Sequence, residues 1–401
     1  MSNGIPRSKS RARSLFSTAA LVASVALVLT GCSGGLGGST DGGASAGADG
    51  EPIKLGMIAP FSGSESAFGD YMKNGAQLAV DEINKAGGVN GSQLELLTED
   101  GACDPTTAVS AANKLVTAGV KGSVGGYCSG ATLPTLPVFN DAGVVMIIPA
   151  ANSNQLPAQG LDNVFLINGT GTQQAAAAVK YAQKMGATKL AVVDDNTDYS
   201  KDLAVSFTQQ SKDAGLDVVL TESVNAGEKD YSANVNNVVK AMPDFVYWTG
   251  YYQEGGLITR QLRDAGYAGT ILVGDGSVDK KFAEIAGAGY TDNVFATFTQ
   301  TPDMLKGAEA WVASYKDQFG DEPGPYSTQS YDAVRVMAEG FKQAGSTDTK
   351  AVIDALMAID GFQLFSGPLK FTPEHTLSSG GFAILSISED GTFKLEDDLQ
   401  G

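Results

Sequence analysis

One histidine, two tryptophans and three cysteines in 401 residues leave few of the usual catalytic groups. His375 has no second histidine to join it, so a zinc site of ordinary composition cannot be assembled here. Basic residues are scarce too: 27 Lys and Arg stand against 45 Asp and Glu, for a net charge of −18. The mature part of the chain has no Lys/Arg cluster, which argues against nucleic acid or anionic membrane surfaces as partners. Past Leu29 no apolar run approaches the length of a membrane span, and no repeat of solenoid period is visible.

The long apolar run that does exist lies at the start. Arg7, Lys9, Arg11 and Arg13 form a basic region, and Leu15 to Leu29 is almost unbroken apolar sequence of signal-peptide length. It ends in Leu29-Thr30-Gly31-Cys32, which resembles the lipobox of bacterial lipoproteins. That resemblance implies removal of residues 1–31, a diacylglycerol on Cys32 and anchorage at the outer face of the cytoplasmic membrane. An ordinary secretory cut near Ala44-Ser45-Ala46 is the alternative. Residues 32–51 are Gly-, Ser- and Ala-rich without apolar periodicity, the composition of a flexible tether. Four basic and no acidic residues precede Cys32, so the remainder carries −22.

Residues 125–131 read GGYCSGA, which fits the nucleophile elbow G-x-S-x-G with Cys128 replacing serine. A hydrolase with Cys128 as thiolate and His375 as base would keep the nucleophile–acid–histidine order of α/β-hydrolases. Against it stands Cys103, a possible disulfide partner 25 positions away in an exported chain. The residues alone leave both readings open.

From Glu51 on, about 350 residues remain, enough for roughly two domains. Short apolar strands alternate with helical patterns: IKLGMIA, QLELLTE, KGSVGG, VVMIIP, NVFLI, KLAVVD, DVVLTE, DFVYW, TILVGD and NVFATF. Between the first two, Met72, Ala76, Ala79 and Ile83 share one helical face before Gly87-Gly88. This alternation specifies α/β architecture with doubly wound, mostly parallel sheets. A single helix is expected near 130–141. After Pro302 three helical stretches follow (303–318, 327–343, 348–358), then strands GPLKF, GFAILSI and GTFKL that have to join a sheet.

The segments ACDPTTAVSAANKLV, GGYCSGAT, MIIPAANS, NAGEKDY, DFVYWTGYYQEGGLITRQLRDAG and GPLKF resemble bacterial leucine/isoleucine/valine-binding proteins, the substrate-binding subunits of ABC importers. The likeness runs in order from Ile53 to the C-terminus. It implies a type I periplasmic-binding-protein fold, two lobes joined by three crossovers that close like a flytrap. Lobe 1 would be 52–170 with 300–378, and lobe 2 would be 171–299 with 379–401. It also implies a Cys103–Cys128 disulfide, a monomer without cofactor, delivery of ligand to a membrane permease, and no enzymatic activity.

The same resemblance supplies a site for a branched-chain or similar neutral L-amino acid. Ser129, the backbone at Ala150 and the side chain of Asn152 would receive the carboxylate. Asn152 stands where threonine is usual. Asp275 would hold the ammonium, although strict register points to Gly276. Phe68, Tyr199, Tyr251 and Tyr326 would wall the site, Phe68 replacing a usual tyrosine. These departures leave room for an amide, urea or another small polar ligand, and the fold also serves ligand sensors.

Three other motifs fall away. Gly169-x-Gly171 has Gln174 at the third glycine position of a dinucleotide fingerprint and reads as a hinge at a crossover. Asp194-x-Asn196-x-Asp198 lacks the turn glycine and terminal acid of a calcium loop. Asn168-Gly169-Thr170 is a sequon without meaning under bacterial export.

Overall fold

The computed structural model describes residues 50–399, apart from 300, 306, 380 and 389. The signal segment, Cys32 and nearly all of the tether lie outside the described residues.

Five parallel strands build the first sheet: β1 (Ile53–Ala59), β2 (Leu94–Asp100), β3 (Gly122–Ser123), β4 (Val145–Ile148) and β5 (Val164–Leu166), in the order β2-β1-β3-β4-β5. The helices threaded among them are α1 (Ser66–Lys85), α2 (Pro105–Thr117), α3 (Ser129–Thr132) and α4 (Leu136–Asp141). In α1, Met72, Ala76 and Ala79 are buried as their spacing predicts, and Ile83 sits at the edge of that face. Helix α2 starts where the chain says it should: the Asp104 carboxylate accepts from the Thr107 amide at 2.7 Å, and Pro105 takes the first turn.

The chain then crosses into a second layer system. Here β6 (Lys189–Asp194), β7 (Asp217–Ser223), β8 (Phe245–Trp248), β9 (Thr270–Val273) and β10 (Val294–Phe298) pair in parallel. Helices α5 (Gly171–Lys184), α6 (Asp198–Asp213), α7 (Ser232–Ala241), α8 (Tyr252–Asp264) and α9 (Lys280–Ala286) connect them. Strand β8 is buried at every position, as a strand covered on both faces must be.

After β10 the chain returns to the first sheet with α10 (Glu309–Phe319), α11 (Ser327–Ala344) and α12 (Thr349–Met357). Helix α11 lies along α1 so closely that a Cβ on Gly75 would fall 2.0 Å from the Ser327 carbonyl oxygen. The segment GPLKF does not join either large sheet. It forms β12 (Gly367–Lys370), paired only with β11 (Asp360–Leu364) in a separate antiparallel hairpin. The last strands, β13 (Ala383–Ile387) and β14 (Phe393–Asp397), complete the second sheet antiparallel, giving β14-β13-β10-β9-β8-β6-β7. The chain thus passes between the sheets three times, after β5, after β10 and before β13.

The helix expected over 130–141 is broken into α3, a 3-10 turn at Leu133–Thr135 and α4. Pro134 and Pro137 are the cause, since each removes an amide donor from the ladder. Among the described residues no helix is long and apolar enough to cross a membrane.

Candidate functional site

In open α/β sheets, loops at the carboxyl ends of strands form a crevice where the strand order reverses. Both sheets reverse here, at β1/β3 and at β6/β8. The two crevices face each other. Loops after β3 and β4 supply Tyr127, Ala150 and Asn152; loops and helix starts after β6, β8 and β9 supply Tyr199, Tyr251, Asp275 and Gly276. Tyr326, at the head of α11, completes the cleft.

Asp275 lies at its centre and is 2% exposed. The Tyr199 hydroxyl donates to its Oδ1 at 2.5 Å, the Asn152 amide donates to its Oδ2 at 3.2 Å, and the Tyr326 hydroxyl also donates to Oδ2. Burial pushes the Asp275 carboxyl above the usual aspartate range, while the Tyr199, Tyr326 and Gln174 side chains pull it back down. Two of the three donors, Asn152 and Tyr326, belong to the first-sheet side, so these bonds tie the lobes together.

Strict register points to Gly276, and a Cβ there would meet Tyr251 Cδ1 at 2.8 Å and Tyr199 Cε1 at 3.1 Å, so a side chain at 276 would require those rings to move. Tyr326 reaches the carboxylate from a left-handed backbone, φ 64°, a conformation that costs a non-glycine residue about 1–3 kcal/mol.

Ser129 sits at the start of α3, 2% exposed, and its hydroxyl accepts from the Ser153 amide at 3.3 Å. The amides of Ala131 and Thr132 bond back to the Cys128 carbonyl. Asn152 faces across the cleft: besides Asp275 it donates to Gln174 Oε1 at 2.9 Å. Gln174 is fully buried and donates to Thr297, which in turn meets the Tyr247 hydroxyl. The residue that spoils the dinucleotide fingerprint is thus a support for the cleft.

Phe68 is placed differently from expectation. It is fully buried one layer behind the cleft, stacked on Tyr127 at 4.5 Å and tilted against Tyr326 at 6.1 Å. Tyr127 forms the wall that Phe68 was expected to form. The signal for it was available in GGYCSGA, where the residue before Cys128 is a large aromatic in a glycine-rich loop.

Cys128 is bonded to Cys103, with Cα atoms 5.4 Å apart, so its sulfur is no thiolate. His375 lies in the turn after β12, its ring stacked at 4.3 Å on Phe165 of β5. The hydrolase arrangement is therefore overturned at both residues. The Asp194 carboxylate is used by the Asn196 amide of its own loop and by the Ser223 hydroxyl at the end of β7.

Comparison with known proteins agrees with this geometry. A family model described as "Periplasmic binding protein" matches residues 52–392. The chain is 34% identical over 343 residues to a leucine-, isoleucine-, valine-, threonine- and alanine-binding protein of Pseudomonas aeruginosa, covering 85% of this chain and 91% of that one. It is 37% identical over 347 residues to Leu/Ile/Val-binding protein homolog 3 of Brucella melitensis, covering 86% and 94%. Among solved structures, the branched-chain amino acid transporter substrate-binding protein LivJ from Streptococcus pneumoniae, in complex with isoleucine, superposes with a TM-score of 0.78. That pair is 30% identical, over 86% of this chain and 98% of the other. The chain belongs to the periplasmic binding protein family, a family of substrate-binding proteins and not of enzymes, and within it to the leucine/isoleucine/valine-binding proteins.

Proposed function

We propose that this protein captures a small neutral L-amino acid of the branched-chain kind between its lobes and hands it to the permease of an ABC importer. The observation that carries the reading is the buried Asp275 carboxylate, which faces loops rich in hydrogen-bond donors across a cleft lined by aromatic rings. An α-amino acid presents an ammonium and a carboxylate on one carbon, and both need directional partners once water is excluded. Asp275 would take the ammonium. The turn at Ser129, with Ala150 and Asn152, would take the carboxylate. The relatives support the ligand class by their names: three of the amino acids in the Pseudomonas protein's name are branched-chain, and LivJ was solved with isoleucine.

A thermal-shift panel of the L-amino acids is the first test, with stabilisation by leucine, isoleucine, valine or a close neutral analogue expected and stabilisation only by sugars contradicting the reading. Ser129→Ala should weaken binding by about 1–3 kcal/mol, the cost of leaving a charged group one bond short. Isothermal titration checks this, and unchanged affinity would remove Ser129 from the site.

The lipobox-like sequence ending at Cys32 supports a lipid anchor that would hold the protein, as a monomer, outside the cytoplasmic membrane behind a flexible tether. Cys32→Ala should move it from the membrane fraction to the soluble exported fraction. Retention in the membrane fraction would show that the anchor lies elsewhere.

A further inference from the structure

Two buried polar atoms, one on the cleft wall and one on the loop ahead of α1, have no hydrogen-bond partner among the described residues. The Tyr127 hydroxyl, on a residue 7% exposed, makes no hydrogen bond, and neither does Oε2 of Glu65, on a residue 2% exposed. Leaving such groups unpaired costs free energy, so an unpaired buried pair at a binding site points to a ligand that completes it. Tyr127 lines the cleft itself. Glu65 comes from the loop after β1, just ahead of α1, and its carbonyl accepts from the amide of Phe68, the ring stacked behind Tyr127.

The surroundings of Glu65 are acidic. Burial, first, and then Glu254 push its carboxyl well above the usual glutamate range; Asp195 and Asp279 act in the same direction, and Ser64 opposes them. Burial, and then the Glu65 carboxylate, push the Tyr127 hydroxyl well above the usual tyrosine range; burial, Asp195 and then Glu65 do the same to Tyr251. No Lys or Arg lines the cleft. The lobes hold this corner shut, since Gln253 of α8 donates to the Ser64 carbonyl at 2.9 Å and the Tyr252 hydroxyl donates to the same oxygen at 2.5 Å.

We infer that Tyr127 and Glu65 form a specificity subsite for the end of the ligand's side chain, and that the preferred amino acid carries a hydrogen-bond donor there instead of a purely aliphatic group. The inference rests on the amino-acid reading above, keeping its zwitterion site but replacing the aliphatic side chain by one that ends in a donor. A protonated or ionised Glu65 accepts from the ligand's donor through Oε2, and the Tyr127 hydroxyl turns to donate or accept as the ligand requires. A hydroxyl, a side-chain amide or an ammonium supplies such a donor; a methyl group leaves both protein groups unpaired.

Titration calorimetry with matched ligands tests this on the mature protein. The pairs are threonine against valine, asparagine against leucine, and 2,4-diaminobutyrate against norvaline, each nearly equal in shape. The polar member of at least one pair should bind about tenfold or more tightly than its partner. The diaminobutyrate pair separates a charged donor from the neutral ones. In Tyr127→Phe and in Glu65→Leu that advantage should shrink to within about twofold, and Glu65→Leu should not lower the melting temperature, because it removes a buried carboxyl. Equal or tighter binding of valine, leucine and norvaline by the wild-type protein would overturn the inference and leave the amino-acid reading standing. Failure of every L-amino acid to bind would overturn both.

Discussion

Asp275→Asn should abolish measurable amino-acid binding while leaving the protein folded. Removing one partner of a buried, hydrogen-bonded charge pair costs about 3–5 kcal/mol, a loss of roughly 10²- to 10³-fold or more in affinity. The fold itself loses little. Asparagine keeps one oxygen for the Tyr199 or Tyr326 hydroxyl and relieves the chain of a carboxylate whose burial raises its pKa. The melting temperature without amino acid should stay level or rise, and the shift caused by amino acid should vanish. A variant that melts lower and still binds would show that Asp275 is structural.

The same carboxyl sets a pH dependence. Its pKa in the folded protein lies above the ordinary value of 3.8, so the folded chain takes up this proton more readily than the unfolded one. On its account the ligand-free protein gains stability as pH falls from neutral through the raised folded value, and the gain is complete below 3.8. With Asp275 proposed to hold the ammonium, affinity should run the other way, because the ammonium needs the ionised form. Binding should therefore weaken on acidification before a free aspartate would titrate. Calorimetry across that range checks the sign, and affinity that rises on acidification would contradict it.

The second large effect concerns the disulfide. Changing both Cys103 and Cys128 to Ser should cost about 3 kcal/mol of stability, the entropy of a loop of this length released into the unfolded chain. It should also weaken ligand binding, because the bridge pins the residue immediately before the short helix that begins at Ser129. Reducing agent added to the wild-type protein should reproduce both losses. A double variant as stable as wild type in denaturant unfolding would mean that the bridge constrains nothing.

Much of this architecture is readable from local sequence. The strands IKLGMIA, KLAVVD and DFVYW are short apolar runs between turn residues, and the Asp104-Pro105 start of α2 is a local signal. Asp275 could be singled out because it follows an apolar strand in a glycine-flanked loop. What local patterns do not carry is convergence. Glu65 and Asp279 read as surface acids of the kind common on helix starts, and only the closed arrangement of both lobes buries them. Phe68 and Tyr127 are 59 positions apart in a chain that must fold before either can be assigned to the wall or to the layer behind it. The hairpin of β11 and β12 escaped for a different reason. Its first strand, DGFQL, has one buried position and no alternation, so pairing with GPLKF creates the strand and its composition does not.

The most direct test of the account is titration calorimetry of the best-binding L-amino acid beside two analogues, one lacking the α-amino group and one with the carboxylate converted to an amide. A site that holds a zwitterion through Asp275 on one side and the Ser129 turn on the other predicts that the intact amino acid binds and that both analogues lose at least two orders of magnitude in affinity. Undiminished binding of the analogue without the α-amino group would contradict it.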